Sequence, residues 1–166
     1  MKTLFAPWRS PYSSKFGGEK SEGASESECV FCSQLKEKKD EKNFILKRFD
    51  YSFVMLNKYP YNAGHLLVLP LKHAATLDQL AKDERAEIME LINLSTTILQ
   101  KRLKNEGLNV GINLGKAAGA GIPSHLHVHI LPRWVGDTNF MPAIGKTKVI
   151  SFDLGKMYHQ LKNEFK

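Results

Sequence analysis

A chain of 166 residues with 42% hydrophobic and 25% charged residues has the composition of one globular domain, long enough to build a sizeable core. No apolar run reaches the length that spans a bilayer, and residues 1–14 lack the continuous apolar stretch of a secretory signal, so a cytoplasmic location is expected. The formal charge of +7 favours anionic partners, but no arginine-rich stripe interleaved with aromatics points to a nucleic acid.

Residues 1–28 are rich in Gly, Ser, Glu and Lys around the apolar island Leu4-Phe5-Ala6-Pro7-Trp8, and read as an irregular arm with Trp8 able to dock on the body. The two cysteines, Cys29 and Cys32, follow in a C-x-x-C spacing. In a cytosolic chain that spacing points to metal or redox chemistry before a structural disulfide, and it supplies half of a tetrahedral zinc site. Residues 33–42 predict a short helix whose alternating lysines and acids form a solvated face. Strands are predicted over 44–48 and 52–57, turning at Asp50-Tyr51. A loop over 58–64 carries Pro60, Asn62 and Gly64, and a third strand over 65–70 ends at Pro70.

The clearest helix spans 76–105. Thr76 and Gln79 form a capping-box pattern, Asp83 marks a restart after a short first turn, and Gly107 is the expected stop. Leu80, Ile88, Leu91, Ile92, Ser95, Ile98, Leu99 and Leu103 keep helical spacing along one buried face. A fourth strand is predicted over 110–114, a Gly/Ala-rich loop over 116–124, and a fifth strand over 124–131 stopped by Pro132. A short strand over 148–152 and a helix from Leu154 close the chain, with His159 on its surface. Strand pairs, one long helix and further strands imply an α+β domain with a mainly antiparallel sheet.

The run His125-Leu126-His127-Val128-His129 carries the chemistry. In an extended strand, alternate residues share a face, so the three imidazoles project together while Leu126, Val128 and Ile130 point into the core. Neutral imidazole can attack phosphorus or take a proton, and its charged form stabilises an anion. Three ligands on one strand rarely converge on one ion, because the first and last diverge by ~13 Å at the backbone. The preceding loop, Lys116-Ala117-Ala118-Gly119-Ala120-Gly121, has small residues that let backbone N–H groups approach an anion.

The stretch from His125 to Leu131 matches the histidine triad (HIT) motif, His-φ-His-φ-His-φ-φ with φ apolar, at every position. Met55-Leu56-Asn57-Lys58-Tyr59-Pro60-Tyr61-Asn62-Ala63-Gly64-His65, followed by the apolar run 66–70, looks like the second signature of that family. The resemblance covers about residues 29–133. It implies a HIT-like fold: a mainly antiparallel five-stranded sheet with one long helix and a C-terminal helix, the sheet extended across a homodimer. The domain would occupy 29–166 behind the arm 1–28. The family consists of nucleotide hydrolases and transferases, so the implied partner is a nucleotide or dinucleoside polyphosphate. His127 would attack the α-phosphate to form a nucleotidyl-histidine, His129 would contact the phosphate or leaving group, and His65 would tune the triad. Asn57 would hold the ribose, while Asn113, Gly119, Ala120, Gly121 and Ser124 would line the phosphate path.

Ala6-Pro7-Trp8-Arg9 and Arg133-Trp134-Val135-Gly136-Asp137-Thr138-Asn139-Phe140 resemble the diadenosine tetraphosphate phosphorylase-like branch, in which inorganic phosphate resolves the intermediate. Dinucleotide hydrolases resembling the fragile histidine triad protein carry a Gln where residues 120–124 lie here, and this chain has none there. Many phosphorylases replace the third histidine by Gln, whereas this chain keeps His129. A hydrolase using water on dinucleoside polyphosphates or phosphoramidates, and a low-activity nucleotide-binding module, are the alternatives. The resemblance also implies a structural Zn2+ held by Cys29, Cys32, His73 and His125, against the alternative of a free cysteine pair. That assignment withdraws His125 from catalysis.

Overall fold

A computed structural model describes residues 29–138, 144–145, 147 and 152–165. The expected arm with Trp8, and residues 148–151 of the predicted last strand, lie outside the described residues, while Phe152 sits in a bend.

Helix α1 spans Val30–Glu37 and begins directly after Cys29. The charge pattern placed this helix over 33–42. It lies earlier because Phe31 and Cys32 are buried, and burying them draws the first turn onto the sheet. It ends at Lys38, which adopts a left-handed conformation (φ 51°) and donates its N–H to Leu35 O. Asn43 then fastens the following turn to the helix, donating from Nδ2 to Gln34 O and to Glu37 Oε2.

Strands β1 (Ile45–Arg48), β2 (Ser52–Leu56) and β3 (Leu66–Pro70) form an antiparallel meander. Every residue of β2 and β3 is buried, as their continuous apolar runs require of strands covered on both faces. The helical pattern over 76–105 is broken. Thr76 starts a 3-10 turn at Leu77–Gln79, Leu80 is extended, and α2 then spans Lys82–Leu103, with Glu84 reaching back to the Ala81 N–H. The restart at Asp83 is thus observed within the first turn of α2. The stop is not at Gly107 but at Lys104, in a left-handed conformation (φ 52°), and Gly107 instead opens the next strand.

Strand β4 is Gly107–Ile112, earlier than the predicted 110–114, and β5 is Val128–Arg133, later than 124–131. Both shifts have one cause: the two strands pair with each other from Gly107↔Arg133 to Ile112↔Val128. Pro132 therefore lies within β5, opposite Leu108, and does not stop it. A proline is tolerated there because pairing of β5 with β3 ends at Leu66↔Ile130, so the missing N–H falls beyond that ladder. The sheet order is β1-β2-β3-β5-β4, with all neighbours antiparallel. Helix α3 (Leu154–Lys162) closes the described chain, capped by the Asp153 carboxylate. His159 on this helix is exposed, as expected.

Alternation on the strands sorts two apolar layers. Val54, Leu56, Leu66, Val68, Leu126, Val128 and Ile130 face α2 and α3, where Ile88, Leu91, Ile98, Leu99 and Leu161 complete the main core. Phe53, Met55, Leu67 and Leu69 face the other way, under Cys29, Phe31 and Cys32 of the α1 segment. Each fully buried aliphatic or aromatic side chain contributes about 1.5–3 kcal/mol, so the large layer fixes the sheet and the smaller one fixes what stands on its second face. Among the described residues, no helix is long and apolar enough to cross a membrane.

Candidate functional site

The second face of the sheet carries the histidines. His129 pairs across from Leu67 on one side and Gly111 on the other, while Leu126, Val128 and Ile130 are in the main core. The alternation read from the sequence is observed, although His125 and His127 precede the paired part of β5. Leu126 N–H donates to Ala74 O at 2.6 Å, which ties this extended lead-in to the segment after β3. His65 and His125 are essentially fully buried, and His127 is 6% exposed.

At one end, four side chains converge. Cys29 Sγ lies 3.4 Å from His125 Nδ1, and Cys32 Sγ lies 3.5 Å from that atom and 3.4 Å from His73 Nδ1. All four ligand atoms are within 4.8 Å of one another. Bonds of about 2.3 Å to sulfur and about 2.0 Å to nitrogen put the S and N corners of a zinc tetrahedron about 3.5 Å apart, so the spacing fits a closed four-ligand site. The remaining nitrogen of His125, Nε2, is 3.0 Å from Pro70 O. Donation there places the ring proton on Nε2 and turns the Nδ1 lone pair toward the sulfurs, the usual outer support of a metal-binding histidine. These residues can hold a metal ion.

Two residues on, the roles of the ring nitrogens are different. His127 Nδ1 is 2.8 Å from His125 O, an acceptor only, so Nδ1 carries the proton and Nε2 keeps its lone pair. Burial pushes the His127 pKa down, opposed by that hydrogen bond, so the ring is neutral near pH 7. The arrangement yields an oriented, uncharged imidazole with a lone pair on Nε2.

The third histidine belongs to a chain of bonds. Tyr61 N–H donates to His65 Nδ1 at 3.1 Å, which places the His65 proton on Nε2. His65 Nε2 lies 2.9 Å from His129 Nδ1 and donates to it, so His129 carries its own proton on Nε2. Burial, and then the neighbouring His127, push the His129 pKa down to about 4. His129 thus presents a neutral N–H donor beside the His127 acceptor, their ring centroids 4.9 Å apart. One ring offers a lone pair and the other an N–H donor.

Of the other predicted residues, Asn57 is the one bonded to the His65–His129 chain among the described contacts. Asn57, half-buried at the end of β2, has Nδ2 3.3 Å from His65 Nδ1, and its Oδ1 accepts from Tyr59 N–H. Asn113 and Ser124 are half-buried, and Ala120 is buried. In the small-residue loop, Gly119 N–H donates to Lys116 O and Ala120 N–H to Gly115 O, so these two amides close the loop's own turn. Gly119 itself needs its positive φ of 91° there. Sequence reasoning missed two aromatics. Phe31, inside the C-x-x-C, lies 5.5 Å from the His125 ring and 5.6 Å from His127. Tyr61 lies 4.7 Å from His65 and 5.7 Å from His129. Phe31 was legible as the apolar residue between two ligands, whereas nothing in the spacing marked Tyr61 apart from Tyr59.

Against this geometry, the HIT domain profile matches residues 38–135. The chain belongs to the HIT domain family. It is 35% identical over 90% of its length, and 77% of the relative's, to a Mycobacterium tuberculosis protein named AP-4-A phosphorylase. It is 33% identical, over 56% of this HIT chain and 47% of the relative, to a Saccharomyces cerevisiae bis(5'-adenosyl)-triphosphatase. The fold is shared with a Zn-bound histidine triad family protein from Mycobacterium smegmatis at a TM-score of 0.68 and 23% identity, covering 84% of this chain and 94% of that one.

Proposed function

We propose that this HIT protein is a nucleotidyl-transferring enzyme that cleaves a dinucleoside polyphosphate of the diadenosine tetraphosphate type, with inorganic phosphate as the acceptor. The observation that carries the reading is the 2.8 Å bond from His127 Nδ1–H to His125 O, which leaves Nε2 as the one basic nitrogen of a neutral ring. His127 Nε2 attacks the α-phosphorus. The bond to the bridging oxygen breaks, ATP leaves with that oxygen, and an adenylyl group remains on His127. His129 Nε2–H donates to a phosphate or leaving-group oxygen as charge builds, with His65 holding it in that tautomer. An oxygen of inorganic phosphate then attacks the same phosphorus, the P–N bond breaks, and ADP is released. Water in place of phosphate would give AMP.

The preference for phosphate rests on extent of similarity: the match to the phosphorylase runs over 90% of the chain, that to the triphosphatase over 56%. In this reading Asn57 holds the ribose, and Asn113, Gly119, Ala120, Gly121 and Ser124 line the phosphate path. Cys29, Cys32, His73 and His125 hold a structural Zn2+, which supplies cross-linking between α1 and the sheet and no reacting position. The HIT domain spans 29–166 behind an arm over 1–28, and the protein is a cytoplasmic homodimer. Support for the dimer is the edge strand β4, which carries no charged residue and leaves Val110 46% exposed.

Incubation with diadenosine tetraphosphate, with and without phosphate, tests the acceptor. ADP plus ATP formed only with phosphate is the expected result; AMP plus ATP in water alone would replace this reading by a hydrolase. For the metal, elemental analysis should find one zinc per chain, and a metal-free protein whose two thiols titrate freely would remove the site.

A further inference from the structure

Loop 58–64 brings Tyr61 onto the outer side of the His65–His129 pair. Its ring is offset-stacked on His129, with centroids 5.7 Å apart and planes 24° apart, and is tilted on His65 at 4.7 Å and 49°. Its own N–H is the donor that sets the His65 tautomer. Tyr61 is 39% exposed, and His65 beneath it is 0% exposed. One residue therefore acts twice on the same two imidazoles, by backbone and by ring.

We infer that Tyr61 is a positioning residue of this active site: it locks His129 in the Nε2–H tautomer and ring orientation that the phosphate requires. The need follows from the geometry. The bond from His65 Nε2 to His129 Nδ1 is 2.9 Å long, and a half-turn of the His129 ring would lose it and withdraw the Nε2–H donor. A near-parallel aromatic ring against His129 opposes that turn and keeps water off the bond, which strengthens in the drier surroundings. The second tyrosine of the same loop, Tyr59, is 63% exposed, against 39% for Tyr61. The assignment rests on the reading of His127 and His129 as the reacting pair.

The test uses the full chain, in its metal-loaded form, as wild type, Tyr61→Phe and Tyr61→Leu, with Tyr61→Met as the volume-keeping substitute should the leucine variant fail to fold. Two quantities are read: the His129 tautomer by nitrogen NMR on the free protein, and kcat and KM for diadenosine tetraphosphate with phosphate. The expected result is a single Nε2–H tautomer in wild type and Tyr61→Phe, with kcat of the phenylalanine variant within about twofold of wild type. Tyr61→Leu or Met should show mixed tautomers and a kcat about tenfold lower at nearly constant KM, the size of a lost aromatic pair. A leucine or methionine variant with one tautomer and unchanged kcat overturns the inference. So does a rise in KM alone, which would make Tyr61 a contact to the nucleobase. Absence of turnover in wild type would sink the nucleotidyl-transfer reading, while the tautomer measurement still decides the role of Tyr61.

Discussion

His125 and His129 lie four residues apart on one face of one extended segment, yet the fold gives them opposite surroundings. His125 is walled in by two sulfurs, a second imidazole and a backbone carbonyl, with both nitrogens committed. His129 is half-buried, and its Nδ1 is committed to His65. His127 between them borrows from the first end, through the His125 carbonyl, and stands ring-to-ring with the second. The lesson is that the role of a histidine is written by what its second nitrogen bonds. A carbonyl on Nε2 turns the Nδ1 lone pair of His125 toward the sulfurs, a carbonyl on Nδ1 leaves Nε2 of His127 with its lone pair, and an imidazole donor on Nδ1 makes a hydrogen-bond donor of His129 Nε2.

The sharpest way to break this contrast is His127→Asn. It should lower kcat on diadenosine tetraphosphate by about 10⁴-fold or more, with metal content and melting temperature nearly unchanged, since it removes the proposed nucleophile and none of the four side chains of the Cys/His cluster. Activity retained in that variant would dissolve the distinction among the three rings.

Cys32→Ser probes the other end. Removing one thiolate from a four-ligand site should release the metal and cost about 3 kcal/mol of stability, read by denaturant unfolding. His129→Asn should keep full metal content, so equal metal loss in both variants would show that the two ends are one site.

A third variant tests how the His65 loop is held. Gly64 has φ +72°, and a Cβ there would overlap the Leu103 side chain on α2. Gly64→Ala should therefore cost about 2–3 kcal/mol, while also reducing activity through His65. A melting temperature equal to that of wild type would show that the loop relaxes freely.

The smallest effect is on pH. The His129 pKa is depressed from 6.5 to about 4 in the folded chain. As pH falls, the unfolded chain takes up that proton first, so stability is lost progressively between about pH 6.5 and 4. After solvent screening of a half-buried ring the loss is on the order of 1 kcal/mol. Melting temperatures of wild type and His129→Asn across that range should converge as pH falls; parallel curves would mean that His129 protonates equally well in both states.

How much of this could be read in advance divides by the range of the interaction. Alternation along 125–130 gave the faces of the histidine strand correctly, because side-chain direction in an extended chain is local. The HIT resemblance brought His65 and His73 to that strand, and the structure places both beside it. Element ends were less legible. Pro132 looked like a stop and is tolerated inside β5 because the β3 ladder has already ended, a fact about a neighbour rather than about the residue. The charged run 33–42 looked like the helix, but burial of Phe31 and Cys32 pulled α1 forward.

The α+β architecture and the family follow from the residues alone, because periodicity, turn residues and motif spacing are properties of short stretches. Which nitrogen of each histidine bears the proton follows instead from the hydrogen-bond partners that the folded chain sets around each ring. That choice depends on partners such as Pro70 O, His125 O and the Tyr61 amide, backbone groups that are identical in every residue type and become specific only when the fold sets them at hydrogen-bond distance.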